Sequence, residues 1–207
     1  MSLLLSSIAC SASFNVGIVG AHGGLGRELV QQCFDREFVP IAIVRRDDDI
    51  PLPQRHGGLV RDDRENAEVF SSLQRFHTKA LPPSLEKLDA VAFVMSGRPF
   101  EPDTSTQVVV ETCSKIRTDI PVCLVSAYGT GDTIKKSNVG IKVMRNWYLR
   151  SVYDEKMKQE TLVSTFDNHL VIRPRALSFS PSSFGYTRAE LANDILDYFE
   201  KDRHERL

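Results

Sequence analysis

Four glycines fall within seven residues in Gly20-Ala21-His22-Gly23-Gly24-Leu25-Gly26, and three of them, Gly20, Gly23 and Gly26, are evenly spaced. A turn that tight needs positive φ at some position, and a phosphate drawn against backbone N–H groups leaves no room for a Cβ, so glycine meets both needs. The apolar run Phe14–Gly20 leads into the loop as a strand, and Leu25, Leu29, Val30, Cys33 and Phe34 recur beyond it at helical intervals. A helix starting there turns its unpaired N–H groups and the positive end of its dipole toward an anion. Strand, loop and helix in this order form a pyrophosphate-binding fingerprint, here Gly20, His22, Gly23, Gly24, Leu25 and Gly26. The His22 side chain reads as facing solvent or a neighbouring strand, without a catalytic role.

About 20 residues past such a loop, an NAD site carries an acidic residue that accepts hydrogen bonds from the ribose 2′-OH. The chain reads Ile43-Val44-Arg45-Arg46 there. A guanidinium can pair bidentately with a 2′-phosphate, so Arg45 and Arg46 favour NADP. The run Asp47-Asp48-Asp49 keeps NAD open, because a shift of a residue or two would bring a carboxylate to the ribose. The same acidic run offers the arginines ordinary ion-pair partners.

Positioning these groups requires a regular scaffold, and the chain supplies its pattern. Apolar runs short enough for buried strands recur at Phe14–Gly20, Pro40–Val44, Gly58–Val60, Leu88–Met95, Pro121–Ser126 and Leu170–Arg173, separated mostly by segments of helical spacing. Such alternation predicts an α/β fold, a doubly wound parallel sheet with helices on both faces. Further helices are expected over Glu65–Phe76, from about Ser105 to Arg117, and from Ile141 to Phe166 as one long helix, since that stretch holds neither Pro nor Gly. A last helix is marked by the capping box Thr187-Arg188-Ala189-Glu190, with Leu191, Ile195, Leu196 and Phe199 on one face. With 207 residues one core suffices, so residues 1–207 read as a single domain whose first 13 residues are a loose leader.

Composition removes several function classes. Hydrophobic residues at 42% and charged residues at 26% are the balance of a globular chain rather than a disordered one. With a net charge of -1 and interspersed signs there is no basic face for nucleic acid, and no window approaches the roughly 18 apolar residues of a membrane span. Cys10, Cys33, Cys113 and Cys123 form no C-x-x-C pair and read as reduced thiols of a cytoplasmic protein. His22, His56, His77, His169 and His204 lack metal-ligand spacing, and Ser126 lacks the setting of a hydrolase nucleophile elbow, so metal and hydrolase chemistry are set aside.

With loop, arginine pair and later strands in hand, the chain from about Asn15 to Phe199 resembles the atypical short-chain dehydrogenase/reductases, in particular the NmrA-like and biliverdin/flavin-reductase-like branch with its Rossmann fold. By that resemblance Arg45 or Arg46 contacts the 2′-phosphate and Asp62, in Leu59-Val60-Arg61-Asp62, contacts adenine. Met95-Ser96-Gly97 lies beside the cofactor, Ser126 of Val125-Ser126-Ala127-Tyr128 lies near the nicotinamide, and Ile172-Arg173-Pro174 matches the end of the branch's sixth strand. A Lys on the long helix, Lys156 or Lys158, would approach the nicotinamide ribose. Two departures stand out. The superfamily's Tyr-x-x-x-Lys is absent, since Met157 follows Tyr153 and Val152 follows Tyr148 at that interval. The stretch after Pro174 is also short, which implies a minimal C-terminal substrate lobe and an open cleft.

Two functions remain. One is an NADPH-dependent reductase that transfers hydride to a small or flat acceptor, with Ser126, Tyr153 and Lys156 as candidate catalytic residues and Ser126 able to donate a hydrogen bond to the acceptor. The other is a non-catalytic NADP-binding, redox-sensing regulator that binds a partner protein. Either would be a monomer or a homodimer.

Overall fold

Five parallel strands form the central sheet: β1 (Phe14–Val19), β2 (Phe38–Ile43), β3 (Ala90–Phe93), β4 (Val122–Val125) and β5 (His169–Ile172), in the order β2-β1-β3-β4-β5. The computed structural model describes residues 14–21, 23–43, 85, 87–95, 104–147, 149–175, 177–178 and 185–206. The expected strand at Gly58–Val60 and helix at Glu65–Phe76 lie outside those residues. Around the sheet run α1 (Gly24–Asp35), α2 (Thr104–Cys113), α3 (Val139–Trp147), α4 (Arg150–Val163) and α5 (Arg188–Arg206), with a short parallel pair β6 (Leu177–Ser178) and β7 (Tyr186–Thr187). The doubly wound fold expected from the alternation of patterns is therefore the fold found.

Because side chains alternate along a strand, each strand feeds two cores. Val16, Ile18, Ala42, Ala90, Ala92, Cys123 and Val125 face a layer made by α1 and α5, where Leu25, Leu29, Cys33, Leu191, Ile195 and Phe199 are buried. Val19, Ile41, Ile43, Val91, Phe93, Val122 and Leu124 face the opposite layer with Leu85, Leu88, Val109 and Val163. Burial drives the thiols of Cys33 and Cys123 well above their ordinary range, so both behave as small apolar side chains.

The capping box at the start of α5 forms as its sequence predicts: the Glu190 N–H donates to Thr187 Oγ1 at 3.0 Å and the Thr187 N–H donates back to Glu190 Oε2 at 2.8 Å. The predicted single helix over Ile141–Phe166 is instead two, α3 and α4. Leu149, at φ -120° and ψ 21°, leaves the helical region and caps α4 with its carbonyl, which accepts from Tyr153 N–H at 3.0 Å. Neither Pro nor Gly makes this break, so a scan for helix breakers passes over it. The helix that docks on α2 and β4 simply begins anew at Arg150. α2 also stops at Cys113, short of Arg117, because the chain tightens and the N–H groups of Lys115 and Ile116 both turn to the Thr112 carbonyl.

The order of strands decides where a ligand can enter. From β1 the chain passes to β2 on one side and later to β3 on the other, which makes the carboxyl ends of β1 and β3 the topological switch point. The glycine loop leaves from one of those ends and Met95 from the other.

Candidate dinucleotide site

The three spaced glycines meet three different requirements. Gly20 adopts φ +93°, a left-handed conformation that an L side chain resists, and a Cβ there would also fall 3.0 Å from the Met95 side chain. Gly26 lies where α1 crosses the loop: its Cβ would come within 2.6 Å of the Ala21 Cα and overlap the Gly20 carbonyl oxygen. Gly23 is different. It has an ordinary extended backbone as the N-cap of α1, and the nearest atom to its Cβ would be the Gly20 carbonyl oxygen at 3.3 Å. A larger side chain there would stand at the amino end of α1, beside the Gly20 carbonyl.

Nothing in the sequence of α1 neutralises its amino end. Gly23 brings no side chain to accept from the first turn, and that turn contains no acidic residue. The roughly half positive charge of the helix terminus is thus offered to a ligand. Arg188, the first residue of α5, lies over the same end, where a Cβ on Gly24 would stand 2.7 Å from its Nε and 2.9 Å from its Cδ. An amino terminus with no side-chain cap, a glycine rather than a side chain at its N-cap and an adjoining guanidinium fit a pyrophosphate.

A second cluster gathers at the ends of β3 and β4. Lys156 on α4 is 5% exposed, and its Nζ donates to the carbonyls of Met95 at 2.7 Å and Val125 at 3.0 Å. Burial brings its ammonium down to about 8, against the opposing pull of Glu155 and Glu160. The same Met95 touches the glycine loop, so Lys156 is tied to the loop through one residue. Lys158 lies two positions along the same helix and is exposed. Of the two lysines named by the resemblance, only Lys156 reaches the strand ends.

Beside Lys156 a buried carboxylate collects four donors. Glu160 receives the Arg173 guanidinium on both oxygens, from Nε to Oε1 at 3.2 Å and from Nη2 to Oε2 at 3.0 Å. Oε1 also accepts from the Ser126 hydroxyl, and the Thr130 Oγ1 stands 2.5 Å from it. Burial pushes the Glu160 carboxyl up, but the bonds from Arg173, Ser126 and Thr130 outweigh it and hold the group below its ordinary range. Ionised Glu160 has only lone pairs to offer, so the proton in the Ser126 contact is the serine's own.

Tyr153 points at the same neighbourhood from the first turn of α4. Its hydroxyl donates to the Tyr128 carbonyl at 3.1 Å, and its ring packs 3.1 Å from where a Cβ of Gly129 would stand. Gly129 sits at φ +104°, so glycine there serves both the turn and the ring. Of the residues proposed from sequence, Gly20, Gly23, Gly24, Leu25, Gly26, Ser126, Tyr153 and Lys156 thus surround one end of the sheet. His22, Arg45, Arg46, Asp62, Ser96, Gly97 and Tyr148 lie outside the described residues. Glu160 and Arg188 were missed; Glu160 follows Lys156 by one helical turn and Arg173 opens the Arg-Pro pair, and that spacing is the only sequence signal they carry.

The fold and loop define a Rossmann-type dinucleotide-binding domain. A family model described as NAD(P)H-binding matches residues 20–198, and the chain belongs to that family. This bears out, at the level of family and fold, the resemblance to the NAD(P)-binding short-chain dehydrogenase/reductase branch. No curated protein sequence matches the chain significantly. Among solved structures it is similar to ChuY, an anaerobillin reductase from Escherichia coli, at 15% identity and TM-score 0.55 over 88% of this chain and 89% of that one. It is similar to a suggested NADH-flavin reductase from Streptococcus pneumoniae at 16% identity and TM-score 0.57, covering 91% and 94% of the two chains. A third, a UDP-N-acetylglucosamine 4-epimerase from Bacillus cereus, shares 14% identity and TM-score 0.53 over 91% of this chain and 74% of its own. Among the described residues, no helix is long and apolar enough to cross a membrane.

Proposed function

We propose that the protein is an NADPH-dependent reductase of the atypical short-chain type, acting on a small or flat acceptor in an open cleft. The observation that carries the reading is Lys156: a lysine buried at the switch point, two of its protons held by strand-end carbonyls and one left for a ligand. The third N–H is suited to a ribose hydroxyl, and the glycine loop to the pyrophosphate of the same molecule. When bound, a reduced nicotinamide supplies the hydride. The chain's own contribution is orientation: Gly23 admits the phosphates, Arg188 and the α1 terminus hold their charge, and Lys156 fixes the ribose end.

NADP is preferred over NAD in this reading because Arg45 and Arg46 follow the second apolar run about 20 residues past the loop, the place in the sequence where an NAD site carries an acidic residue. Loss of a charge-assisted contact costs about 1.5–3 kcal/mol, or roughly 10- to 150-fold in affinity. The double variant Arg45→Ala/Arg46→Ala is therefore expected to weaken NADPH at least about tenfold while moving NADH by no more than a few-fold. Fluorescence titration of both cofactors, followed by NADPH oxidation assays with flavins, quinones and tetrapyrroles, tests the whole proposal. Binding without turnover of any acceptor would transfer the site to the second function, a non-catalytic regulator. That alternative is supported by the engagement of the Tyr153 hydroxyl with a backbone carbonyl and of the Ser126 hydroxyl with Glu160.

A further inference from the structure

Ser126 follows directly on β4 and is 6% exposed, and its hydroxyl carries a single proton. Two potential partners compete for it within the cluster. Thr130 Oγ1 lies 3.2 Å away but has its own proton and two nearby acceptors, the Ala127 carbonyl at 2.7 Å and Glu160 Oε1 at 2.5 Å. Of the two, Glu160 Oε1 is the one that can never donate while it is ionised. Arg173, bound to both of its oxygens, keeps it ionised and keeps it from turning. A carboxylate locked in place by a bidentate guanidinium therefore commits the Ser126 proton inward.

We infer that Glu160, held by Arg173, turns the Ser126 proton away from the cleft, so that Ser126 meets the substrate as a hydrogen-bond acceptor and the site selects acceptors bearing an N–H or O–H on that edge. The inference deepens the proposed reductase function and rests on it. A substrate offering only a carbonyl oxygen to Ser126 would place lone pair against lone pair. A cyclic imide, a lactam or a pyrrolic ring, by contrast, supplies the missing proton from its own N–H. Ser126 is then a specificity-determining residue, and Glu160 a positioning residue that acts through it.

The test uses the full chain loaded with NADP and matched pairs of probes that differ only in methylation: lumichrome against its N-methylated derivative, and a pyrrolinone against its N-methyl form. Titration into the wild type is expected to favour the N–H member by about tenfold or more in at least one pair, the scale of one hydrogen bond to a buried group. In Ser126→Ala, which leaves the Glu160–Arg173 pair intact, the ratio is expected to collapse to within about twofold. Glu160→Gln, whose amide can donate to Ser126 and free its proton, is expected to collapse or invert the ratio. A proton resonance of the Ser126 hydroxyl, shifted downfield and protected from exchange, should be visible by NMR in the wild type and absent in Ser126→Ala, an outcome that a purely structural role for Glu160 in packing would not by itself require of the probe ratios. No preference in any pair, including failure of every probe to bind, overturns the inference, as does a ratio that survives Ser126→Ala. A wild type that does not bind NADPH at all overturns instead the cofactor reading beneath it.

Discussion

Arg188 lies across Gly24, so close that a methyl group on the glycine would meet the arginine Nε at 2.7 Å. The two residues are 164 positions apart, yet they place a guanidinium at the amino end of α1, where the helix dipole already carries positive charge. Two positive groups on one spot favour an anionic ligand. Arg188→Ala is expected to weaken NADH and NADPH alike, by roughly tenfold or more, and to flatten the salt dependence of binding. Equal salt slopes in variant and wild type, measured by cofactor titration from low to high ionic strength, would remove Arg188 from the phosphate site.

The glycine loop separates a ligand role from a structural one. Gly23→Val is expected to abolish dinucleotide binding with a smaller loss of melting temperature than Gly26→Ala, because its backbone is ordinary and, among the described residues, its Cβ would meet the Gly20 carbonyl oxygen at 3.3 Å, where the Cβ of Gly26 would overlap that atom. Gly26→Ala should do the reverse in order of cause. The new methyl strikes the loop backbone, and overpacking of that kind costs about 1–3 kcal/mol. Differential scanning fluorimetry with and without NADPH distinguishes the two: a Gly23→Val protein that still gains thermal stability from cofactor would refute the phosphate role of Gly23.

Tyr153 occupies a position on α4 where a proton donor would be sought, but its hydroxyl serves the Tyr128 carbonyl. Tyr153→Phe is therefore expected to lower any reductase rate by much less than the roughly 100-fold or more that loss of a general acid produces. It should instead cost about 0.5–1.5 kcal/mol of stability, as a lost buried hydrogen bond does. Steady-state kinetics beside a denaturant titration measures both. A loss above about 100-fold in rate would restore the tyrosine as a proton donor.

The pH dependence of Lys156 has opposite signs in the free and the loaded protein. Burial lowers its ammonium from 10.5 to about 8, so between those values the unfolded chain binds more protons than the folded one. Stability of the free protein should accordingly rise as pH passes from about 8 toward 10.5. Cofactor affinity should fall over the same rise, since the ammonium that donates to the ribose is being discharged. Lys156→Met is expected to bind weakly and to show neither trend. Affinity independent of pH in the wild type would place the ribose elsewhere.

The sequence by itself determined the class of fold and the loop at its centre, because both rest on short-range rules. Alternating apolar runs make strands and helical spacing makes helices, while the positive φ of Gly20 and the close approach of Gly26 to Gly20 and Ala21 are demands that arise within seven residues. The capping box at Thr187 was legible for the same reason, its two bonds spanning only three positions. Where the helix over Ile141–Phe166 divides was not legible, since Leu149 breaks it by a backbone angle that no residue type announces. Nor could spacing choose between Lys156 and Lys158. That choice depends on which of them turns inward when α4 settles against β4, bringing a charge to carbonyls 31 and 61 positions away. The company of Ser126 was likewise decided only by the tertiary structure, which brings Glu160 and Arg173 from α4 and the end of β5 to a serine at the end of β4. A local pattern states what a segment can form, whereas the direction of a hydroxyl proton depends on charges that only the packed sheet and helices bring together.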